Sequence, residues 1–542
     1  MKQCLLKNAN IIDGTGKPAF KGHILVKGMR IESILKDNDL PSSVDKVIDV
    51  SGNTVSPGFI DMHSHLDWVM PHADHAELTK CFLEQGVTTV VAGNCGASPA
   101  PYRKHLGEEW AKLFLFPGCR KFYTSWESMG EFLDYLSQAK PSLNIAQLVG
   151  HATVHHIASD KRQKKLSSRQ MKTSLLEVQK AFDEGACGLS LGLGYDPGIF
   201  MSLKEIEAFC RLASNAGKPV AVHLKAYSIL SPAYSPTYLK SHNLRALNEM
   251  INIARKTGVK LQISHLLFVG LRSWRTVDSF LEIIDSAKKE GIDIMFDAFP
   301  YTYFNTTVNV VLPSWFLARL PKAYKNPLLF LRLYTELLVG FSLVGFNFKD
   351  FQLIHDATTS NTHEGKRISE IAKELNLSPL RTMLEISRKS KGCASILFHG
   401  ANGEPGNEKV LDQILSHSLC LFETDALIYK KEYHNPAALG TFPKILGKYV
   451  RDKKLFSAEN AIKRMTSLSA ERFGLKDRGK IIPGAFADIV IWNPHTIAEQ
   501  PPTDIKPAAQ PKGIKHVFVN GEQVVCNGVS LMNKQVGQVL RI

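Results

Sequence analysis

Between residues 55 and 424 the chain repeats one pattern, and that repetition restricts the fold more than any single motif does. Apolar runs short enough for strands, several rich in Val and Ile, recur near 55–62, 87–92, 144–149, 186–191, 219–223, 260–264, 292–298, 394–398 and 419–424. Helical signals separate them. "HAELTKCFLEQG" ends at Gly86, a residue suited to the left-handed turn that closes a helix. "SLKEIEAFCRLASNAGK" opens at Ser202 with Glu205 three positions on, the spacing of a capping box. Strands alternating with helices run parallel, and about eight of them close into a (β/α)8 TIM-like barrel of fold class α/β. Nine candidates is one too many. The stretch from about 302 to 390 is long and irregular, and it is read as an insertion in which one candidate strand is misassigned.

The two ends of the chain have another texture. "CLLKNANIID", "GHILVKGMRIESILK" and "DKVIDVSGN" at the start, and "ADIVIWNP", "IKHVFVNGEQVVCNG" and "GQVLRI" at the end, read as short strands and turns. The predicted organisation is therefore a small β domain built from residues 1–55 and 476–542, flanking a catalytic barrel over 56–475. A chain of 542 residues with 44% hydrophobic and 22% charged residues has the composition to bury such a core.

Charge and cysteine usage narrow the class. The formal charge is +15, from 66 Lys and Arg against 51 Asp and Glu, but the basic residues are scattered. Short runs such as "KRQKK" (161–165) read as solvated helix faces, and no nucleic-acid reading motif is present. Nine irregularly spaced cysteines argue against a disulfide framework and for a reducing, cytoplasmic setting. The apolar segment 328–348 carries Arg332 and Glu336, costly in a bilayer core, so it reads as a buried helix or lid, with peripheral membrane contact left open. The oligomeric state is left open as well. "GLSLGLGYDPG" (188–198) lacks the spacing and the context of a dinucleotide-binding loop.

The strand ends carry the chemistry. In "SPGFIDMHSHLDWVM", His63 and His65 stand one residue apart at the end of the first apolar run, and residues i and i+2 of a strand share a face. A two-histidine pair alone does not hold zinc, which takes three or four ligands. Cys95 in "VVAGNCGASPAP", His223 in "PVAVHLKAY", His265 in "KLQISHLL" and Asp425 in "LCLFETDAL" fall at equivalent places. Any one of these residues is more often packed than metal-bound. Five strand ends each offering a competent group are hard to dismiss, because barrel enzymes work at the C-terminal ends of their strands.

This order of groups resembles the amidohydrolase superfamily, in its N-acyl-D-amino-acid deacylase (D-aminoacylase) branch. The similarity extends through "GFIDMHSHLD", "GVTTVVAGNCGASPAP", "DAFPYTY", "GTFPKILGKYVR" and "AIKRMTSLSAERFGLKDRGKIIPGAFADIVIWNP". The resemblance implies hydrolysis of a linear amide in a small N-acylated substrate. It also implies a tight zinc site at Cys95, His223 and His265, with His63, His65 and Asp425 completing or bordering a second, weaker position. A metal so held polarises the amide carbonyl and acidifies water, and Asp425 is the expected general base. Tyr301 is assigned to substrate or oxyanion contact, and His151 to the third strand end as a supporting group beside the substrate. His155 and His156 are assigned structural or surface roles. Thr424 stands where the branch usually has Ser and is expected to orient Asp425.

The sequence departs from the branch at its carboxylate-binding cations. The Lys expected two residues after His265 is Leu267, and the Arg expected before "GTFP" is Ala437. Lys225 replaces an Arg and cannot form a bidentate fork. A neutral N-acyl amide is therefore expected to suit the site better than a free N-acyl-D-amino acid. Two other readings are weighed: a cyclic-amide hydrolase of the hydantoinase or dihydroorotase type, which commonly has a carbamylated lysine in place of the cysteine, and a non-catalytic interaction protein on the same barrel.

Overall fold

The computed structural model describes residues 2–104, 125–159, 165–234, 240–356, 363–426, 428, 435–500, 510–531 and 534–542. Most of the "KRQKK" run, residues 161–164, lies outside them.

Both chain ends supply one nine-stranded sheet. Its first half is β1 (Gln3–Ile11), β2 (Phe20–Lys27), β3 (Arg30–Leu35), β4 (Lys46–Asp49) and β5 (Thr54–Pro57). The junction between the halves is β5 against β17 (Ile489–Trp492), antiparallel with Ile489 opposite Pro57. Strands β18 (Ile514–Val519), β19 (Glu522–Cys526) and β20 (Val529–Ser530) extend the sheet from there. Leu6, Ile24, Val55, Ile489 and Phe518 form a core for this sheet, so neither end buries its apolar face without the other.

Eight parallel strands form the barrel: β6 (Phe59–Asp61), β7 (Val87–Ala92), β8 (Asn144–Gly150), β9 (Gly188–Gly192), β10 (Val220–His223), β11 (Leu261–Ile263), β12 (Ile294–Ala298) and β16 (Cys420–Phe422). The last strand meets the first beyond their ends, through a parallel bridge between Ser64 and Ala426 and a bond from Asp425 N to His63 O. Both predicted helix signals are present. Gly86 follows the helix His75–Glu84 with φ +94°, and Ser202 and Glu205 form the capping box of Leu203–Asn215.

Three expectations are corrected. The candidate strand at 55–62 is two strands, broken at Gly58, where a Cβ would lie 2.1 Å from Thr88 Oγ1. The surplus ninth candidate, at 394–398, is β15 (Ser395–His399), which lies just past the predicted end of the insertion. It pairs antiparallel with β13 (Tyr303–Thr307) and β14 (Phe351–His355) in a separate three-stranded sheet. "GQVLRI" does not join the small sheet: β21 (Val539–Leu540) pairs with the barrel strand β8 at Ile145 and Ala146. The pairing of β8 with β9 begins only at Leu148, which leaves the start of β8 open on that edge, and the chain end fills the gap.

The insertion leaves from the end of β12, on the side of the barrel where the strand ends lie. It has its own core of Phe316, Leu333, Leu337, Phe351, Ile371, Met383 and Phe398, among others. Among the described residues seven cysteines are free thiols and Cys393 is disulfide-bonded.

Candidate metal centre

The strand ends bring six predicted donors together. Cys95 Sγ lies 3.5 Å from His63 Nε2, 3.4 Å from His265 Nε2 and 3.9 Å from His223 Nδ1. Asp425 Oδ1 lies 3.4 Å from His63 Nε2 and 3.3 Å from His65 Nε2. These atoms fall into two sets, His63–His65–Cys95–Asp425 and Cys95–His223–His265, and within each set all donors lie within 4.8 Å of one another. A tetrahedral ion with bonds of about 2.0–2.3 Å separates its ligand atoms by roughly 3.3–3.8 Å. The contacts of Cys95 with His63 and His265 and of Asp425 with both paired histidines fall in that range, whereas His223 Nδ1 lies 2.9 Å from His265 Nε2 and 3.9 Å from Cys95 Sγ. One thiolate with imidazoles and a carboxylate is a suitable set for such an ion.

The backbone at these positions is unusual. Cys95, His265 and Asp425 adopt positive φ, at 55°, 31° and 45°. Left-handed backbone costs a non-glycine residue about 1–2 kcal/mol, so three of the six donors are held in conformations that the surrounding structure must enforce. His63 and His65 lie just past the end of β6 rather than on it, with ring centroids 5.6 Å apart.

Electrostatics holds the cluster as a thiolate among imidazoles, and a bound cation would displace the proton that His63 otherwise keeps. Burial works against a charged Cys95 thiol, but the His265 and His63 imidazoles and hydrogen bonds from His223 and His265 outweigh it and hold the pKa well below the usual thiol range. A thiolate is the form that ligates. Burial works against charge on His63 too, yet Cys95 and a hydrogen bond to Asp297 raise it well above the ordinary histidine value.

Several supporting groups were not anticipated. Asp297, at the end of β12, accepts from His265 N at 2.7 Å, and its Oδ1 lies 3.3 Å from His63 Nδ1. A carboxylate behind a ligating imidazole fixes its tautomer and orientation. The same strand-end logic that selected His265 and Asp425 points to Asp297 in "IMFDAF". Glu423 is buried beside His63 and Asp297 with no hydrogen bond to either carboxyl oxygen among the described residues, and burial raises its pKa well above the usual range. Tyr195 donates to Cys95 O at 2.9 Å and packs its ring 4.7 Å from that of His223.

The glycine-rich stretch set aside as a nucleotide loop has a role here. A Cβ on Gly192 would lie 2.2 Å from Cys95 O, and one on Gly194 would lie 2.7 Å from His223 Nε2. Those glycines let the loop close against the donors. His151 sits behind the same loop, its Nδ1 accepting from Gly192 N at 3.1 Å. It supports the loop rather than a donor atom. His155 and His156 are both buried, with rings 5.9 Å apart, so neither is a surface residue.

Other assignments are redirected. The Tyr301 hydroxyl donates to Glu499 Oε2 at 2.9 Å while Lys444 Nζ sits 3.9 Å over its ring, so it is committed to the C-terminal segment rather than free for substrate. The Thr424 hydroxyl donates to Asp61 Oδ2 at 2.6 Å and accepts from Ala426 N, and therefore orients Asp61 instead of Asp425. Lys225 Nζ donates to Met201 O at 2.9 Å, and burial lowers its pKa. Leu267 and Ala437 are buried and apolar, as their sequence implies.

The model of the amidohydrolase family matches residues 46–309 and 425–525, more than half of the chain and all six donors. The chain belongs to the amidohydrolase family. Among its relatives, this amidohydrolase is 28% identical over 515 residues to N-acyl-D-glutamate deacylase of Alcaligenes xylosoxydans xylosoxydans, covering 94% of this chain and 91% of that protein. It is 29% identical over 521 residues to D-aminoacylase of the same organism, covering 96% and 94%. The crystal structure of N-acyl-D-glutamate deacylase from Bordetella bronchiseptica, complexed with zinc and a phosphonate mimic of the tetrahedral intermediate, superposes with a TM-score of 0.80 at 27% identity over the full length of both chains.

Proposed function

We propose that this amidohydrolase is a zinc-dependent deacylase that cleaves linear N-acyl amides. The observation that carries the reading is the shared Cys95 Sγ, which belongs to both donor sets while Asp425 belongs to one of them. Cys95, His223 and His265 would hold the tight ion, and His63, His65 and Asp425 would border a second position. When bound, the metal supplies Lewis-acid polarisation of the acyl carbonyl and acidifies water. Asp425 accepts the proton of the attacking water and returns it to the departing nitrogen, which leaves as the amine. Asp297 holds His63 and the His265 backbone in place throughout. Tyr195, tied by its hydroxyl to Cys95 O and tilted against the His223 ring, braces two of the donors.

Substrate preference follows from Leu267, Ala437 and Lys225. The first two carry no charge, so a substrate carboxylate beside them would be desolvated without a partner, costing several kcal/mol, and Lys225, which already donates to Met201 O, offers a single cation without a bidentate fork. A neutral N-acyl amide avoids that cost. The test compares kcat/KM for N-acetyl-D-methionine with that for its methyl ester and its amide. Preference for the neutral substrates, moved toward the acid by the pair L267K and A437R, is expected. A strong preference for the free acid overturns the neutral-substrate reading, and zinc retained in all of Cys95→Ala, His223→Ala and His265→Ala overturns the metal assignment.

A further inference from the structure

We propose that the helix Pro327–Val344 docks the protein, lying in the interface plane, onto an anionic lipid surface. This helix is 18 residues long and apolar enough to cross a membrane by length and composition. Its fixed face shows that it does not cross. Leu333, Leu337, Phe341 and Val344 are buried, and Phe341 packs its ring 4.5 Å from Phe346 and 5.1 Å from Phe348. The opposite face should then be polar, because an amphipathic helix on a soluble domain turns its charged stripe to water. It is not. Leu328 is 76% exposed, Leu331 59% and Val339 59%, with Tyr334, Leu338 and Leu343 also in solvent. Leu271, also exposed, continues the patch, since its amide bonds Gly345 O directly beyond the helix.

The two charges on the helix do not break this surface. Arg332 Nε and Glu336 Oε2 lie 3.9 Å apart, Trp315 Nε1 donates to Glu336 at 2.9 Å, and the Arg332 guanidinium sits 4.1 Å over the Trp315 ring. They neutralise each other against an aromatic cover.

Cations frame both ends of the helix. Lys322 and Lys325 precede it, and Arg381 lies 5.0 Å over the ring of Phe330 near its start. Lys349 follows its end, close to the half-buried Asp350. None of these four forms an ion pair of 4.0 Å or less with a carboxylate among the described residues. An exposed apolar helix bordered by Lys and Arg has the composition of an interfacial helix, with apolar side chains entering the acyl boundary and cations at the headgroups. A second copy of this chain fits the surface less well. Antiparallel pairing would place Lys322 and Lys325 against Lys349, parallel pairing would place each cation against itself, and an anionic surface accepts all of them. The docked face also has a direct link to the candidate metal centre: the loop that begins at His265 reaches Leu271, which is bonded to the helix terminus.

The experiment is co-sedimentation of the full-length protein with phosphatidylcholine vesicles, with and without one-third phosphatidylserine. The protein is expected to bind the mixed vesicles, more weakly at high salt, and to bind pure phosphatidylcholine poorly. The double substitution L331E and V339E is expected to reduce binding at least about tenfold, since it places charge in the apolar face. K322E with K325E should reduce it by a similar factor and flatten the salt dependence. Both variants change exposed positions and should keep the thermal midpoint of the parent, so lost binding with an unchanged midpoint is a surface effect. Absence of vesicle binding by the parent overturns the proposal. So does equal binding by L331E/V339E, or a concentration-dependent dimer of the parent that the same variant abolishes while vesicles bind neither.

Discussion

The strand ends of the barrel and the Pro327–Val344 helix lie on the same side of the molecule and treat water in opposite ways. The barrel buries His63, His65, Cys95 and His265, polar or ionisable groups, and holds Cys95, His265 and Asp425 in left-handed backbone. The insertion leaves Leu328, Leu331 and Val339, groups that avoid water, exposed. Burying polar groups is tolerable only when each finds a partner, and here the partners are one another, Asp297 and, under the proposed function, a metal. Exposed apolar area retains roughly 25 cal/mol per Å² of drive toward another apolar phase. Each region is locally unfavourable, and in each the deviation points to what the region binds.

That contrast can be tested, beginning where the largest effect is expected. Cys95→Ala removes the one atom common to both donor sets, so metal content of the purified protein should collapse and turnover should fall to background, as elemental analysis and an amide-hydrolysis assay would show. Asp425→Asn keeps the shape but not the basicity, and turnover should fall by about 10²- to 10⁴-fold with the tight metal retained. If activity survives, another base operates.

A smaller effect separates the glycines of the two regions. Gly194→Ala pushes a methyl to within 2.7 Å of His223 Nε2 and should weaken metal affinity about 10- to 100-fold, measured by chelator competition. The stability of the barrel should also respond to acid through His151. Burial first, and then the charge of His155, hold its pKa down at about 3, and its Nδ1 lone pair is occupied by Gly192 N. The unfolded chain takes up that proton near pH 6.5, so stabilisation present above that pH is lost as pH falls toward 3, by up to about 1.4 kcal/mol per pH unit. Chemical denaturation of His151→Gln across that range should show a shallower loss than the parent. The smallest change lies on the exposed helix. A methyl added at Gly340 would meet nothing within 4 Å, and Gly340→Ala should stabilise by about 0.5–1 kcal/mol in thermal melts.

What was legible in the sequence is what is written locally. Strand runs, the capping box at Ser202 and the left-handed glycine at Gly86 are each set by a few neighbouring residues, and the alternation of strand and helix then implies a barrel. Once the barrel is accepted, strand-end position alone selects His63, His65, Cys95, His223, His265 and Asp425, and the structure brings all six together. Tertiary structure decided the rest, because the partners come from distant elements. Asp61 takes the Thr424 hydroxyl across 363 residues, Glu499 takes the Tyr301 hydroxyl across 198, and the chain end closes a gap beside β8 that exists only because β9 starts late. The 394–398 run has the strand texture of its neighbours, and only competition for edges assigns it to the insertion sheet instead of the barrel. The same holds for the helix at 327–344. Its composition permits a buried helix, a lid or a membrane contact, and only packing shows which face the core takes and which it leaves to solvent.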